Sequence, residues 1–253
     1  MSLDHGGFSS PGLWQLVESD AYRVDIPFWV DLAVESGGGV LDLGCGIGRV
    51  SHQLNQMGQT TTGADRNAAL VEDFNRTRPA GSPLALTADV TRLRGTDSPI
   101  HGRYFDLVIA PQQLLQIIGG PKARMSLFKA LSLLTSSDGL VAFAICEGLP
   151  EDPVDYPDVA PDILELDGWV HSSQPVSIET TTEEVTAIRV RRSLSPSGEV
   201  FEQHNAVTLD RLDLPGLEDE LIEAGLTPVR SAPIPATDRH MDSTLVIARP
   251  SSP

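Results

Sequence analysis

The sequence is poor in positive charge. Its 253 residues include 18 lysines and arginines against 35 acidic residues, and the formal net charge is −17 at pH 7. A molecule with this charge repels the phosphate backbone of nucleic acids and anionic membrane surfaces. We therefore expect neither nucleic acid nor membrane as a partner, although acidity alone more often serves solubility than a specific function.

Cysteines and long apolar segments are also scarce. Cys45 and Cys146 each lie beside or within an apolar run, which is typical of reduced thiols rather than of a disulfide framework. No run of 18 apolar residues occurs, and the N-terminus MSLDHGGFSS lacks a basic flank followed by an apolar stretch. These absences argue against a membrane span and a signal peptide, so we expect a cytoplasmic protein. The sequence also suggests no metal ligands.

The first 150 residues alternate short apolar runs with longer segments of helical spacing. This rhythm predicts a parallel sheet covered by helices. The predicted strands are residues 39–43, 60–64, 84–88, 105–110 and 140–145, and the helices near 25–33, 49–57, 68–76 and 122–134. A proline-rich acidic connector follows, then β-rich stretches at 169–180, 185–194 and 200–209. The last segment predicts a helix at 217–224 and strands near 228–231 and 243–248.

The stretch VLDLGCGIGRVS places glycines at 44, 46 and 48 directly after a predicted strand. A ligand can approach the backbone closely at such glycines, although a strand-to-helix turn also uses glycine simply for close packing. The dinucleotide fingerprint G-x-G-x-x-G would need its third glycine at position 49, which is Arg49, so an NAD-dependent oxidoreductase is disfavoured.

The pattern D-x-G-x-G-x-G from Asp42 instead resembles motif I of the class I S-adenosylmethionine-dependent methyltransferases. The resemblance implies that Asp65 binds the ribose hydroxyls, that Asp89 and the backbone of Val90 meet the adenine, and that carbonyls in FDLVIAPQQLLQII face the methionine ammonium. The implied cofactor-binding residues are Tyr22, Asp42, Gly44, Cys45, Gly46, Gly48, Asp65, Arg66, Asp89, Val90, Ala110 and Pro111.

The resemblance also implies a fold and a division of the chain. The fold is an α/β, Rossmann-like, doubly wound seven-stranded sheet with an antiparallel last strand and a small antiparallel β insertion. Residues 1–37 would form an N-terminal helical cap, 38–146 the cofactor-binding core, 147–212 the connector and β insertion that covers the acceptor, and 213–253 the helix and strands that complete the sheet. We expect a monomer or a homodimer.

The expected reaction is methyl transfer to an N or O atom of a small molecule, with natural-product tailoring suggested by the resemblance alone. His171 and His204, both in the insertion, are the candidates for a general base. Relatives often carry asparagine and histidine after the fourth strand, where this chain has glutamines. The predicted substrate residues are Trp14, Gln112, Gln113, Gln116 and Trp169.

Two rival functions and one local expectation complete the sequence-based hypotheses. The same fold can bind S-adenosylmethionine or its product without transferring a methyl group. A nucleic-acid or protein methyltransferase is disfavoured by the charge and by the lack of an Asn/Asp-Pro-Pro-Tyr/Phe motif. Arg189, Arg191 and Arg192 on one predicted strand indicate a solvated face, with carboxylate binding as the alternative.

Overall fold

A computed structural model describes residues 10–19 and 22–251. The chain divides into two compact units. The larger unit comprises Arg23–Gly148 and Leu212–Pro253, and the smaller unit comprises Met1–Tyr22 and Leu149–Arg211. The N-terminal helix therefore groups with the inserted segment, and the second helix groups with the large sheet.

The elements follow one another in a β/α order that the insertion interrupts. They are α1 (Pro11–Glu18), α2 (Ile26–Ser36), β1 (Val40–Leu43), α3 (Ser51–Gln56), β2 (Thr61–Asp65), α4 (Ala68–Thr77), β3 (Leu86–Thr87), a 3₁₀ turn (Val90–Arg92), β4 (Phe105–Ala110), α5 (Leu114–Ile117), α6 (Gly120–Leu134) and β5 (Thr135–Ile145). Then come β6 (Val154–Asp155), β7 (Asp162–Leu166), β8 (Trp169–Thr180), β9 (Glu184–Leu194), β10 (Val200–Asp210), α7 (Leu214–Glu223), β11 (Leu226–Ile234) and β12 (Ser243–Pro250).

The larger unit is built on a seven-stranded sheet in the order β11-β12-β5-β4-β1-β2-β3. β1 pairs in parallel with β2 and with β4, and β4 pairs in parallel with β5. The last strand, β12, runs antiparallel to both of its neighbours, β5 and β11. The predicted seven-stranded α/β sheet with an antiparallel last strand is therefore confirmed.

Side chains on β1 alternate between the two faces of this sheet, as the two-residue period of a strand requires. Leu41 and Leu43 pack into the core cluster that contains Phe128 of α6 and Leu221 of α7. Val40 packs into the other cluster, which contains Trp29 of α2. Asp42 shares the parity of Val40, so the alternation directs its carboxylate to the face covered by α2 and α3.

Several boundaries in the larger unit differ from those predicted; β3, for example, is Leu86–Thr87 rather than residues 84–88. The helix after the glycines begins at Ser51 rather than at Arg49. The polar residues 136–139, which separate the predicted helix 122–134 from the predicted strand 140–145, lie inside β5. The pairing of β5 with β4 steps from Phe105–Thr135 to Leu107–Leu140, so these turn-forming residues are taken up by a bulge.

The smaller unit contains an antiparallel sheet in the order β10-β9-β8-β6, with β7 also paired to β8. β6 lies inside the segment predicted as an irregular connector, and β7, which begins at the last residue of that segment, was not predicted. Asp167 and Gly168, with φ of +50° and +81°, form the two-residue turn between β7 and β8. The predicted separate β insertion is confirmed, with α1 in contact with β7 and β8.

The described residues contain no helix that is both long and apolar enough to span a bilayer. Within residues 10–19 and 22–251 there is also no cluster of three or more His, Cys, Asp or Glu side chains placed to hold a metal ion.

Candidate functional site

The glycine stretch leaves β1 through a turn that needs left-handed backbone angles. Gly44, Gly46 and Gly48 have φ of +65°, +53° and +98°, a region that side-chain-bearing residues rarely adopt. The amides of Gly44 and Cys45 both donate to the carbonyl of Ala64, at 2.8 and 3.2 Å. The turn is therefore fastened to the end of β2, with its backbone at the carboxyl edge of the sheet.

Asp65 ends β2 and holds this turn from the other side. Its Oδ2 accepts a hydrogen bond from the amide of Gly46 at 3.1 Å, and its Oδ1 accepts one from the amide of Asn67 at 2.8 Å. A carboxylate has about four acceptor positions. Asp65 thus orders the turn and retains acceptor capacity for two hydroxyl groups, as the ribose-binding prediction requires.

Asp42 is a buried carboxylate with one oxygen unused. Its Oδ2 accepts a hydrogen bond from the Ser51 hydroxyl at 2.6 Å, whereas Oδ1 is buried and has no hydrogen-bond partner among the described residues. Burial raises the pKa of Asp42 to about 7, and the Ser51 hydrogen bond and the charge of Arg49 oppose this rise. A buried acceptor of this kind fits a ligand that brings a donor or a positive charge.

Asp89 lies two residues beyond β3 and is exposed. Its Oδ1 accepts hydrogen bonds from the Thr91 amide at 2.9 Å and the Thr91 hydroxyl at 2.7 Å, so it caps the 3₁₀ turn that begins at Val90. The Thr91 hydroxyl is the main cause of the lowered pKa of Asp89, and the charge of Arg66 adds to it. The cap involves one carboxylate oxygen, so adenine recognition stays a prediction for this residue.

Ala110 ends β4, the loop that follows contains Pro111, Gln112 and Gln113, and Gln116 lies in α5. Gln112 has φ of +57°, in the left-handed region that is strained for a residue with a side chain. The Gln113 amide donates to the Ser243 hydroxyl at 3.3 Å. Strain of this kind is common next to binding sites.

Gln116 is buried and pairs with the backbone of Cys146 at the end of β5. Its amide nitrogen donates to the Cys146 carbonyl at 3.0 Å, and its Oε1 accepts from the Cys146 amide at 2.8 Å. This pair of bonds fixes the position of α5 relative to the end of β5. The structure thus gives Gln116 a structural role, and its contact with substrate stays a prediction.

Close packing accounts for part of the glycine pattern, as the alternative interpretation proposed. A Cβ at Gly48 would lie 2.5 Å from the His52 ring, and a Cβ at Gly63 would lie 2.6 Å from the Cys45 sulfur. Burial raises the pKa of the Cys45 thiol well above its usual range, so the thiol is neutral and packs as an apolar group. Gly48 is therefore required by its own neighbours, whether or not a ligand binds there.

In the smaller unit, aromatic side chains surround His171. Its ring stacks parallel to Trp169 and meets Trp14 edge-on, with centroid distances of 6.1 Å in both cases. The Arg191 guanidinium lies 5.1 Å from the Trp14 ring. The structure thus groups three of the predicted catalytic and substrate residues, and it also places Tyr22 in this unit, where the tyrosine is buried.

The two candidate bases have opposite environments. His171 is 2% exposed, and its Nδ1 lies 2.7 Å from the hydroxyl of Ser193, its partner across the β8–β9 pairing. His204 lies on the outer strand β10 with 68% of its side chain exposed. A general base that acts on an enclosed acceptor works out of bulk water, so the environment favours His171.

The interpretation of the arginine strand as a solvated face is wrong for two of its three residues. Arg191 makes two hydrogen bonds to Glu18, at 2.6 and 2.7 Å, and Arg189 pairs with Asp162 at 2.5 Å. Only Arg192, paired with Glu202 at 2.7 Å, fits an exposed strand face. The carboxylates come from distant parts of the chain, which the strand pattern does not reveal.

Arg49, whose position in the sequence argued only against a dinucleotide, also forms a buried ion pair that the sequence did not predict. The Arg49 guanidinium binds both carboxylate oxygens of Asp25 at 2.7 Å, and the Trp29 indole donates to the same carboxylate at 2.8 Å. Asp25 is 1% exposed. The sequence shows Arg49 directly after the glycines and Asp25 directly before a predicted helix. No spacing rule connects two residues 24 positions apart, so the ion pair could not be predicted.

Comparisons with known proteins agree with this geometry. Residues 40–139 match the family model of a methyltransferase domain. No curated protein sequence matches the chain.

Three solved structures share the fold over most of the chain. An S-adenosylmethionine-dependent methyltransferase from Clostridium acetobutylicum is 15% identical, with a TM-score of 0.70, and the match covers 91% of this chain and 92% of that one. The sugar N-methyltransferase KedS8 from a Streptoalloteichus species is 16% identical, with a TM-score of 0.71 and coverages of 95% and 92%.

The third is CalS10, an amino pentose methyltransferase from Micromonospora echinaspora. It is 16% identical, with a TM-score of 0.69 and coverages of 91% and 93%. These structures confirm the predicted fold, and the domain match identifies a methyltransferase domain over residues 40–139.

Proposed function

We propose that this S-adenosylmethionine-dependent methyltransferase methylates an amino nitrogen of a small molecule, and that the acceptor is an amino sugar in a natural-product tailoring reaction. Two of the similar structures are described as a sugar N-methyltransferase and an amino pentose methyltransferase, and each match spans the inserted sheet as well as the core. The acceptor class is taken from these neighbours, and residues of this chain support it.

The donor half of the proposal rests on three carboxylates at the carboxyl edge of the large sheet. Asp42 has a buried oxygen without a partner, Asp65 has spare acceptor capacity, and Asp89 is exposed beside the Val90 amide. The cofactor, when bound, supplies a methyl group attached to a sulfonium sulfur, and the sulfur leaves readily as a neutral thioether. The protein has to hold that methyl group in line with a nucleophile, and such alignment contributes roughly 7 to 11 kcal/mol.

The observation that carries the acceptor half is the buried His171, which stacks on the Trp169 indole and meets the Trp14 indole edge-on. An ammonium group must lose a proton before its nitrogen attacks, and a positioned base contributes about 10² to 10⁴-fold to such a step. When Nδ1 of His171 donates to the Ser193 hydroxyl, Nε2 is the basic nitrogen. Indole faces also bind sugar rings and cations.

The charge of the chain supports a cationic acceptor. With a formal charge of −17, the protein attracts an ammonium compound and repels a free phosphate. Raising the salt concentration should therefore weaken the capture of an amino sugar more than that of its neutral hydroxyl analogue.

The test is methyl transfer to a matched pair of sugars that differ only by an amino group or a hydroxyl group at one carbon. We expect the amino sugar to gain one methyl group, detected by mass spectrometry, and the hydroxyl analogue to remain unmodified. Methylation of the hydroxyl analogue alone would refute the nitrogen acceptor.

The matched variants are His171→Ala and His204→Ala, two histidines of the same unit. His171→Ala should lower turnover by at least about 10²-fold near neutral pH, whereas His204→Ala should leave it unchanged. Equal turnover in both variants would show that His171 takes no part in the mechanism. The amino acceptor would then be tested by the matched pair of sugars alone.

A further inference from the structure

The turn between Gly48 and α3 carries two side chains that act on different carboxylates. The Ser51 hydroxyl donates to Asp42 at 2.6 Å. Two residues before Ser51, the Arg49 guanidinium donates hydrogen bonds of 2.7 Å to both carboxylate oxygens of Asp25. The same turn therefore connects the buried acid of the glycine motif with a buried ion pair at the start of α2.

The ion pair between Arg49 and Asp25 restricts the position of the Arg49 guanidinium. The Asp25 carboxylate is also fixed by the Trp29 indole at 2.8 Å, and Trp29 is fully buried on α2. Arg49 and Asp25 have side-chain exposures of 9% and 1%. A bidentate pair with such burial has little rotational freedom, so the position of the positive charge relative to the turn is defined.

A nearby cation favours the ionised form of the buried Asp42 carboxylate. Its pKa is raised to about 7 by burial, and the opposing influences are the Ser51 hydrogen bond and the positive charge of Arg49. The other titratable neighbours give no positive charge, because Asp65 raises the pKa of Asp42 further and the Cys45 thiol is neutral. Arg49 is thus the cation that the described residues place close enough to act on Asp42.

We propose that Arg49, held in place by Asp25, is a positioning residue that favours the ionised form of the Asp42 carboxylate, and that it thereby sets the pH range over which the glycine turn binds the cationic cofactor. The exchange involves a single proton, which leaves the Asp42 carboxyl group for solvent, while Arg49 keeps its own protons throughout. The ionised form attracts the ammonium of the amino-acid end, and the neutral form does not.

The sign of the pH dependence follows from the direction of the shift. Asp42 binds its proton more tightly in the folded protein than at its ordinary pKa of 3.8, so without cofactor its ionisation lowers folding stability as the pH rises from about 4 to about 7. Cofactor affinity changes in the opposite direction, because only the ionised form attracts the ammonium. Affinity for S-adenosylhomocysteine should rise about tenfold between about pH 6 and about pH 8.

The test is calorimetric titration of the cofactor-free protein with S-adenosylhomocysteine across that pH range. The double variant Arg49→Met/Asp25→Asn removes the cation without leaving a buried carboxylate unpaired. We expect its affinity at pH 7 to fall about fivefold if the pKa of Asp42 rises by one unit, and the loss to shrink at higher pH. Arg49→Lys keeps the charge and should keep the wild-type midpoint.

A matched control is available in the same unit. Arg124 binds Glu220 with two bonds of 2.7 Å and is 3% exposed, but it joins α6 to α7. The double variant Arg124→Met/Glu220→Gln should lower stability and leave the pH midpoint of binding unchanged. If both double variants reduce affinity by the same factor at every pH, Arg49 has a purely structural role and the proposal is overturned.

A second readout does not depend on binding. Carbon-13 NMR of labelled aspartate, with Asp42→Asn to assign the signal, reports the pKa of Asp42 directly. The signal should titrate at higher pH in Arg49→Met/Asp25→Asn than in the wild-type protein. An unchanged titration would contradict the inference, whatever the acceptor proves to be, because neither measurement uses an acceptor.

Discussion

Replacing Gly48 by alanine tests whether the third glycine of the motif is required by the protein itself. Gly48 has φ of +98°, and a Cβ there would lie 2.5 Å from Cε1 and Nε2 of His52. The His52 ring is held by Phe74, at a centroid distance of 4.5 Å, and by the Thr77 hydroxyl at 3.1 Å. The added methyl group would have to displace this ring.

The expected loss can be added up from these contacts. The left-handed backbone angle costs an alanine about 1–2 kcal/mol. Displacing the ring loses an aromatic contact of about 0.5–1.5 kcal/mol and a hydrogen bond of similar value. Gly48→Ala should therefore lower the free energy of unfolding by about 2–5 kcal/mol, whereas in a His52→Ala background only the backbone cost of about 1–2 kcal/mol should remain.

The assay is a double-mutant cycle of Gly48→Ala and His52→Ala, measured by urea unfolding with two spectroscopic probes because the chain forms two units. The packing argument predicts a coupling free energy of about 1–3 kcal/mol. If Gly48→Ala costs the same in both backgrounds, His52 is not the obstacle. The glycine would then be explained by its backbone angle and by the ligand.

Substitutions at three further positions test other parts of the account. Gln112→Gly relieves the backbone at φ +57° and should raise the free energy of unfolding by about 0.5–1 kcal/mol while lowering methyl transfer, so a loss of stability in urea would contradict the assignment of strain. Gln116→Leu removes both hydrogen bonds to the backbone of Cys146, and chemical denaturation should show that the free energy of unfolding falls by about 2–4 kcal/mol. An unchanged free energy would mean that this pair of hydrogen bonds has no structural value. Ser193→Ala should move the pH midpoint of turnover and Ser193→Thr should retain it, unless His171 takes no part in proton transfer.

The carboxylates of the candidate site could be located from the sequence. Asp42 lies in β1, Asp65 ends β2, and Asp89 follows β3 by two residues. The carboxyl ends of parallel strands meet at one edge of a sheet, and therefore local hydrophobic patterns are enough to bring these three residues together.

The partners of these residues could not be predicted, because they depend on the tertiary fold. Asp25 lies 24 residues before Arg49, and Glu18 lies 173 residues before Arg191. No periodicity within one strand or helix connects such residues. Arg191 consequently looked like part of a solvated strand face, although its guanidinium is paired.

Some local features were available and were interpreted wrongly. The acidic, proline-rich composition before Asp162 suggested an irregular connector, but Asp167–Gly168 is a two-residue hairpin signal that would have indicated β7 and β8. Residues 136–139 have turn-forming side chains because they form a bulge within β5, and a bulge has the same composition as a turn.

The most direct test of the account is calorimetric titration of the protein with S-adenosylhomocysteine and, separately, with NAD, repeated for Asp65→Asn. We predict saturable binding of S-adenosylhomocysteine at one site, no binding of NAD, and at least about tenfold weaker affinity in Asp65→Asn, because the variant loses acceptor capacity and charge at the end of β2. No binding of S-adenosylhomocysteine at about millimolar concentration, or equal affinity in Asp65→Asn, would contradict the assignment of this turn as the cofactor site.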